Sequence, residues 1–157
     1  MIIKSVYLKE GLFERKIEFS PTVTFIHSKN NSCGKTTLLR FMLYGLGYNV
    51  PNTKRIKFQN CEVIITVECE KLGIVSLCRN DASSIVLKNG NSENTYVLPE
   101  QQQELHSELF GTDNRDILSN LLGAFYVDQE KGWTLLNRGK VIGSIGFNIE
   151  ELIRGLS

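Results

Sequence analysis

The segment that most restricts how this 157-residue chain can fold is Gly34-Lys35-Thr36, because of what flanks it on either side. The apolar, β-prone run TVTFIH (22–27) precedes it and an apolar-periodic segment (38–46) follows it. A strand, a tight loop and a helix are therefore predicted to meet at a Gly-Lys-Thr. At such a junction loop N–H groups converge, and the positive end of the helix dipole adds to their attraction for anions. Asn31, Ser32, Cys33, Gly34, Lys35, Thr36 and Thr37, with Lys29 and Asn30 at the loop entrance, are the candidate cradle for nucleotide phosphates. Lys35 supplies a point charge for the β and γ phosphates, and the Thr36 hydroxyl is placed to ligate the bridging magnesium.

The usual pattern wants a glycine five residues before Gly34, and this chain has Lys29 there. If the position is left-handed, a lysine costs on the order of 1–2 kcal/mol. Micromolar nucleotide binding is worth about 8 kcal/mol, so the departure weakens the site without abolishing it.

Length and composition fit one globular domain with a core of its own. With 18 basic and 17 acidic residues the net charge is +1, so any nucleic-acid contact must come from local patches. Cys33, Cys61, Cys69 and Cys78 are too widely spaced for a zinc site and read as reduced cytosolic thiols. Cys33 lies where a helix terminus can lower a thiol pKa, and it reads equally as a small residue that fits the loop. The start MIIK has no long apolar stretch and no run approaches membrane-spanning length, so a soluble, cytoplasmic protein is expected, with no membrane partner.

Alternation at 2–8 and 15–19 predicts two strands around Glu10-Gly11, ahead of the loop-bearing strand. A helix over 35–46 is stopped by Gly45, Gly47 and Pro51. The segments 61–69 (CEVIITVEC), 73–79, 84–88 and 96–98, separated by turn residues, read as an antiparallel meander. Pro99 opens a helix over 100–110, Asp113 caps a second to about Leu122, 123–127 is a buried-strand candidate, and a last helix starts near Asn148. The resulting segmentation is 1–60 for the phosphate-loop core, 61–98 for the meander, 99–122 for a helical segment, 123–147 for a glutamine-loop region and 148–157 for the possible root of a coiled coil.

The segment FYVDQE (125–130) supports two readings. In one, Asp128 holds magnesium and Glu130 or Gln129 orients water, giving a compact stand-alone nucleotide hydrolase or kinase. In the other, Gln129 is the metal- and water-contacting glutamine of an ABC-type head. FIHSKNNSCGKTTLLR (25–40), YVDQEKGW (126–133) and the order of elements around them resemble the N-terminal lobe of an SMC or RecN type ATPase head, and KGWTLLNRGK (131–140) resembles the head of Lamassu-type bacterial defence ATPases.

The resemblance implies an α/β phosphate-loop NTPase fold with an antiparallel β subdomain, and ATP and Mg2+ as cofactors. Lys35 and Gln129 would be catalytic, and Thr36 and Gln129 would share the metal. It further implies a C-terminal lobe and a second head, with homodimerisation on ATP, DNA as partner, and accessory or effector subunits. No L-S-G-G-type signature and no later strand ending in Asp-Glu occurs up to Ser157, so those parts are expected from elsewhere in a longer protein. Candidate DNA-phosphate contacts are Lys54, Arg55, Lys57, Arg138 and Lys140, and Arg15 is a candidate for the family's early arginine. A nucleotide-regulated interaction module without DNA is the third reading. Trp133 reads as an interface residue, and His27 and His106 as structural or surface residues.

Overall fold

The computed structural model describes residues 1–29, 34–53, 56–128, 132–133 and 139–157. Strands β1 (Ile2–Glu10) and β2 (Phe13–Glu18) form a hairpin, and helix α1 (Lys35–Gly45) follows the candidate loop. Strands β3 (Glu62–Cys69), β4 (Gly73–Arg79), β5 (Ser84–Asn89) and β6 (Ser92–Val97) form the expected meander. Then come α2 (Gln102–Phe110), α3 (Arg115–Phe125), the short ribbons β7 (Val127–Asp128) with β8 (Gly132–Trp133) and β9 (Gly139–Ile142) with β10 (Ile145–Phe147), and finally α4 (Ile149–Leu156).

The first two strands and the meander form a single antiparallel sheet ordered β2-β1-β3-β4-β5-β6. Every second residue of β3, from Val63 to Cys69, is buried, as the alternation in CEVIITVEC requires when one face meets the core. That inner face continues through Val6, Val75, Leu77, Ile85 and Leu87, and α1 packs against it through Phe41 and Tyr44. Phe58 completes the layer, edge-on to Phe41 at 4.7 Å between ring centroids. No helix among the described residues is long and apolar enough to cross a membrane.

Four expectations need correction. Residues 22–27 do not form a strand: among the described residues no other segment pairs with them, so no ladder exists to define one. Residues 123–125 belong to α3 rather than to a buried strand, and only Val127 and Asp128 pair, with β8. The helix continues because its apolar residues recur at helical spacing, and because Gly123, which looks like a stop signal, lies against the β10 backbone at Gly146. The α3 cap is Asn114 rather than Asp113: its Oδ1 accepts from the Asp116 and Ile117 amides at 3.0 and 3.2 Å, while Asp113 accepts from the Ser107 hydroxyl. Helix α2 likewise begins at Gln102, after a turn in which the Gln101 amide donates to the Val97 carbonyl.

Candidate functional site

Helix α1 begins differently from the other three helices. Its N-cap is Gly34, in a left-handed conformation at φ 83°, with no side chain capping the first turn and no acidic residue in it. By contrast α2, α3 and α4 each carry an acidic residue in the first turn, and α3 and α4 have asparagine caps. Among the described residues nothing acidic compensates the positive end of the α1 dipole, the Lys35 ammonium lies beside it, and this is the electrostatic environment a phosphate chain fits. Lys35 Nζ donates to Ser28 Oγ at 2.9 Å, which ties the helix to the segment entering the loop.

This helix start opens into a cleft of about 760 Å³. Lys35, Thr37, Leu38 and Phe41 of α1 form one wall, Leu8, Arg15 and Ile17 of the β1–β2 hairpin another, and Ile26, His27 and Ser28 the entrance. The size suits a nucleotide. Two cations and no carboxylate line it among the described residues, so its field favours an anion. Arg15 faces inward because it shares its strand phase with Ile17, which pairs with the buried Val6. A smaller, mostly apolar recess of about 280 Å³ adjoins the cleft through Leu8, Arg15, Phe41 and Ile56 and extends to Phe13 and Cys61. Burial pushes the Cys61 thiol up to about 11, so it remains a neutral thiol there at physiological pH. The cationic cleft suits a triphosphate, and the adjoining recess, whose surface is mostly apolar although Lys9, Glu10 and Glu14 also line it, suits a base.

The far end of α1 is fixed by several independent contacts. The Tyr48 and Gly47 amides donate to the Leu43 and Tyr44 carbonyls at 3.1 and 3.0 Å, a Schellman closure with Gly47 at φ 94°. His106 of α2, 3% exposed, donates through Nε2 to the Leu46 carbonyl at 2.8 Å. It packs on Tyr48 with ring centroids 4.5 Å apart, and burial pushes its pKa down to about 4. Ser144, at the turn between β9 and β10, exchanges two bonds with the backbone of Asn49. Arg79 of β4 donates to the Tyr44 and Tyr48 carbonyls at 2.7 and 3.0 Å.

The cleft brings together Gly34, Lys35 and Thr37 of the anticipated cradle, while Thr36 and Lys29 are exposed and do not line it. Asn30, Asn31, Ser32, Cys33, Gln129, Lys54, Arg55 and Arg138 lie outside the described residues, as does the Lys140 side chain. Lys57 is exposed just before the short helical turn at Phe58. For an ATP–Mg2+ complex, Gly34 and Lys35 would hold the phosphate tail, and Thr36, which does not line the cleft, would have to turn its hydroxyl toward the metal. The ion would neutralise charge on the phosphates as it builds. Sequence reasoning missed Ser28 and Arg79. The second had a signal, because Arg79 continues the buried phase of Val75 and Leu77.

A family model described as an AAA domain matches residues 9–145, nearly the whole chain and all of the cleft except Leu8. No curated protein matches it.

Proposed function

The chain belongs to the AAA domain family of phosphate-loop ATPases, and on that premise we propose that it is the ATP-binding half of an SMC-like ATPase head. It dimerises on ATP to drive DNA binding or clamping, in chromosome maintenance, repair or anti-phage defence. ATP and Mg2+ bind at the start of α1, Gln129 shares the metal with Thr36, and a C-terminal lobe and a second head supply the remaining catalytic groups.

The observation that carries this reading is the state of residues 22–27. This segment leads directly into the phosphate loop, yet it pairs with no described strand, and Val23, Phe25 and Ile26 are 61%, 86% and 38% exposed. A phosphate loop needs its strand held within a sheet, and an apolar segment that pairs with no strand among the described residues is a template for one. A C-terminal lobe that lays a strand beside it would complete both the sheet and the pocket. Asp128 weighs against the compact hydrolase: it lies in a two-residue antiparallel ribbon rather than at the end of a strand beside the loop.

The test is to express the longer protein and follow its mass in solution with Mg2+ and a non-hydrolysable ATP analogue, then titrate duplex DNA at two salt concentrations. Analogue-dependent doubling of mass, with DNA affinity that falls steeply with salt, supports the reading. A nucleotide-bound protein that stays monomeric and turns over ATP through Asp128 contradicts it. Nucleotide-dependent association that ignores DNA favours the interaction module.

A further inference from the structure

We propose that Arg79 is a positioning residue for nucleotide binding: without touching the nucleotide, it fixes the far end of α1 and so aims the phosphate loop. This rests on the reading of the α1 start as the phosphate site.

The Arg79 side chain is 2% exposed and has no carboxylate ion-pair partner among the described residues. Instead it spends its donors on four backbone carbonyls from two parts of the chain. Tyr44 and Tyr48 accept at the end of α1, and Asp81 and Ala82 accept at the β4–β5 turn, at 3.1 and 2.9 Å. The guanidinium also lies over the Tyr44 ring, 3.8 Å from its centroid, and the Tyr44 hydroxyl donates to the Asp81 carbonyl at 2.7 Å. The turn is stiff in its own right, since the Asp81 carboxylate accepts from both the amide and the hydroxyl of Ser83 and of Ser84.

Burial of a cation is costly, and an apolar residue in phase with Val75 and Leu77 would fill the same position without that cost. An arginine adds direction: a planar fork holds two carbonyl pairs at fixed angles, and a cation suits the negative end of a helix dipole. The geometry matters because α1 has 11 residues, a lever about 16 Å long. A tilt of about 5° at its anchored end moves the loop end by more than about 1 Å, enough to take N–H donors out of hydrogen-bond reach of a phosphate.

The experiment measures Mg2+–ATP affinity with a fluorescent ATP analogue for wild type, Arg79→Lys, Arg79→Met and Tyr44→Phe, at a temperature where near-UV circular dichroism shows each fully folded. Positioning predicts graded loss: under threefold for Tyr44→Phe, about three- to tenfold for Arg79→Lys, which restores the charge but not the fork, and more than tenfold for Arg79→Met. A purely structural role lowers melting temperature and leaves affinity unchanged in the folded protein, and that result overturns the inference. If the Arg79 variants do not fold, Asp81→Ala, which loosens the turn that Arg79 grips, decides: a loss of affinity of threefold or more in the folded protein supports the inference, and any smaller change overturns it. Wild type that fails to bind refutes the phosphate site itself, a separate outcome from wild type that binds no better than Arg79→Lys.

Discussion

Lys35 Nζ donates to Ser28 Oγ across 2.9 Å, so the ammonium is already held at the mouth of the cleft, on the side where the chain enters the phosphate loop. Replacing Lys35 with Met removes a charged donor from phosphate oxygens, an interaction worth about 1.5–3 kcal/mol. Nucleotide affinity is expected to fall about tenfold to a hundredfold, with a melting temperature within about 2 °C of wild type. Isothermal titration paired with a thermal melt checks both parts.

Val23 and Phe25 lead toward the same loop from the unpaired segment. Because they are exposed, Val23→Ser with Phe25→Ser should change the stability of this chain by less than about 0.5 kcal/mol. If, as proposed, a C-terminal lobe docks on this edge in a longer form of the protein, the same pair should release it, read as proteolytic sensitivity between the lobes. Unchanged protease resistance there would mean that this edge is not where the second lobe docks.

Gly123 and Gly45 both sit in helices pressed against other elements, but against different kinds of neighbour. A Cβ on Gly123 would lie 2.1 Å from the Gly146 carbonyl oxygen, backbone that has no room to yield, whereas one on Gly45 would meet the Ile65 side chain at 2.5 Å. Gly123→Ala is expected to cost about 3 kcal/mol or more, lowering the melting temperature by roughly 6–12 °C. Gly45→Ala should cost less, about 1–3 kcal/mol, because it meets side chains rather than backbone, Ile65 and also Val63 at 2.9 Å, and alanine favours the helix, but both neighbours are fully buried and must shift together.

His106 makes stability depend on pH. Burial holds its pKa at about 4, against an ordinary value of 6.5 in the unfolded chain. Its contribution is therefore complete above pH 6.5 and is lost as pH falls toward 4, because the unfolded chain takes up the proton first. The loss is about 3 kcal/mol at the lower limit. Urea midpoints at pH 7.5 and pH 4.5 should differ more for wild type than for His106→Gln, and equal differences would remove His106 as the cause.

The parts of the fold that follow from local pattern were legible. Alternation in CEVIITVEC gave β3 and its buried face, and the Gly-Lys-Thr context gave α1 and the start of the cleft. The misreadings share a cause in long-range contact. Residues 22–27 have strand propensity, but a strand exists only with a partner. Gly123 resembles a helix stop, but it is the position where the β10 backbone comes closest. Arg79 sat unremarked at the end of a strand, although its phase with Leu77 pointed inward, and what it reaches there, the end of α1, is 31 to 35 positions away in sequence. His106, read as a structural or surface residue, is structural, but its partner could not be read locally because its link to Leu46 spans 60 positions.

The most direct test of the central claim is calorimetric titration of the longest stable form of the protein with ATP and Mg2+. Saturable binding at about one nucleotide per chain, lost in Lys35→Met, is the expected result. Absence of heat or any other binding signal for a purine triphosphate, with divalent cation present and the protein folded, would contradict it.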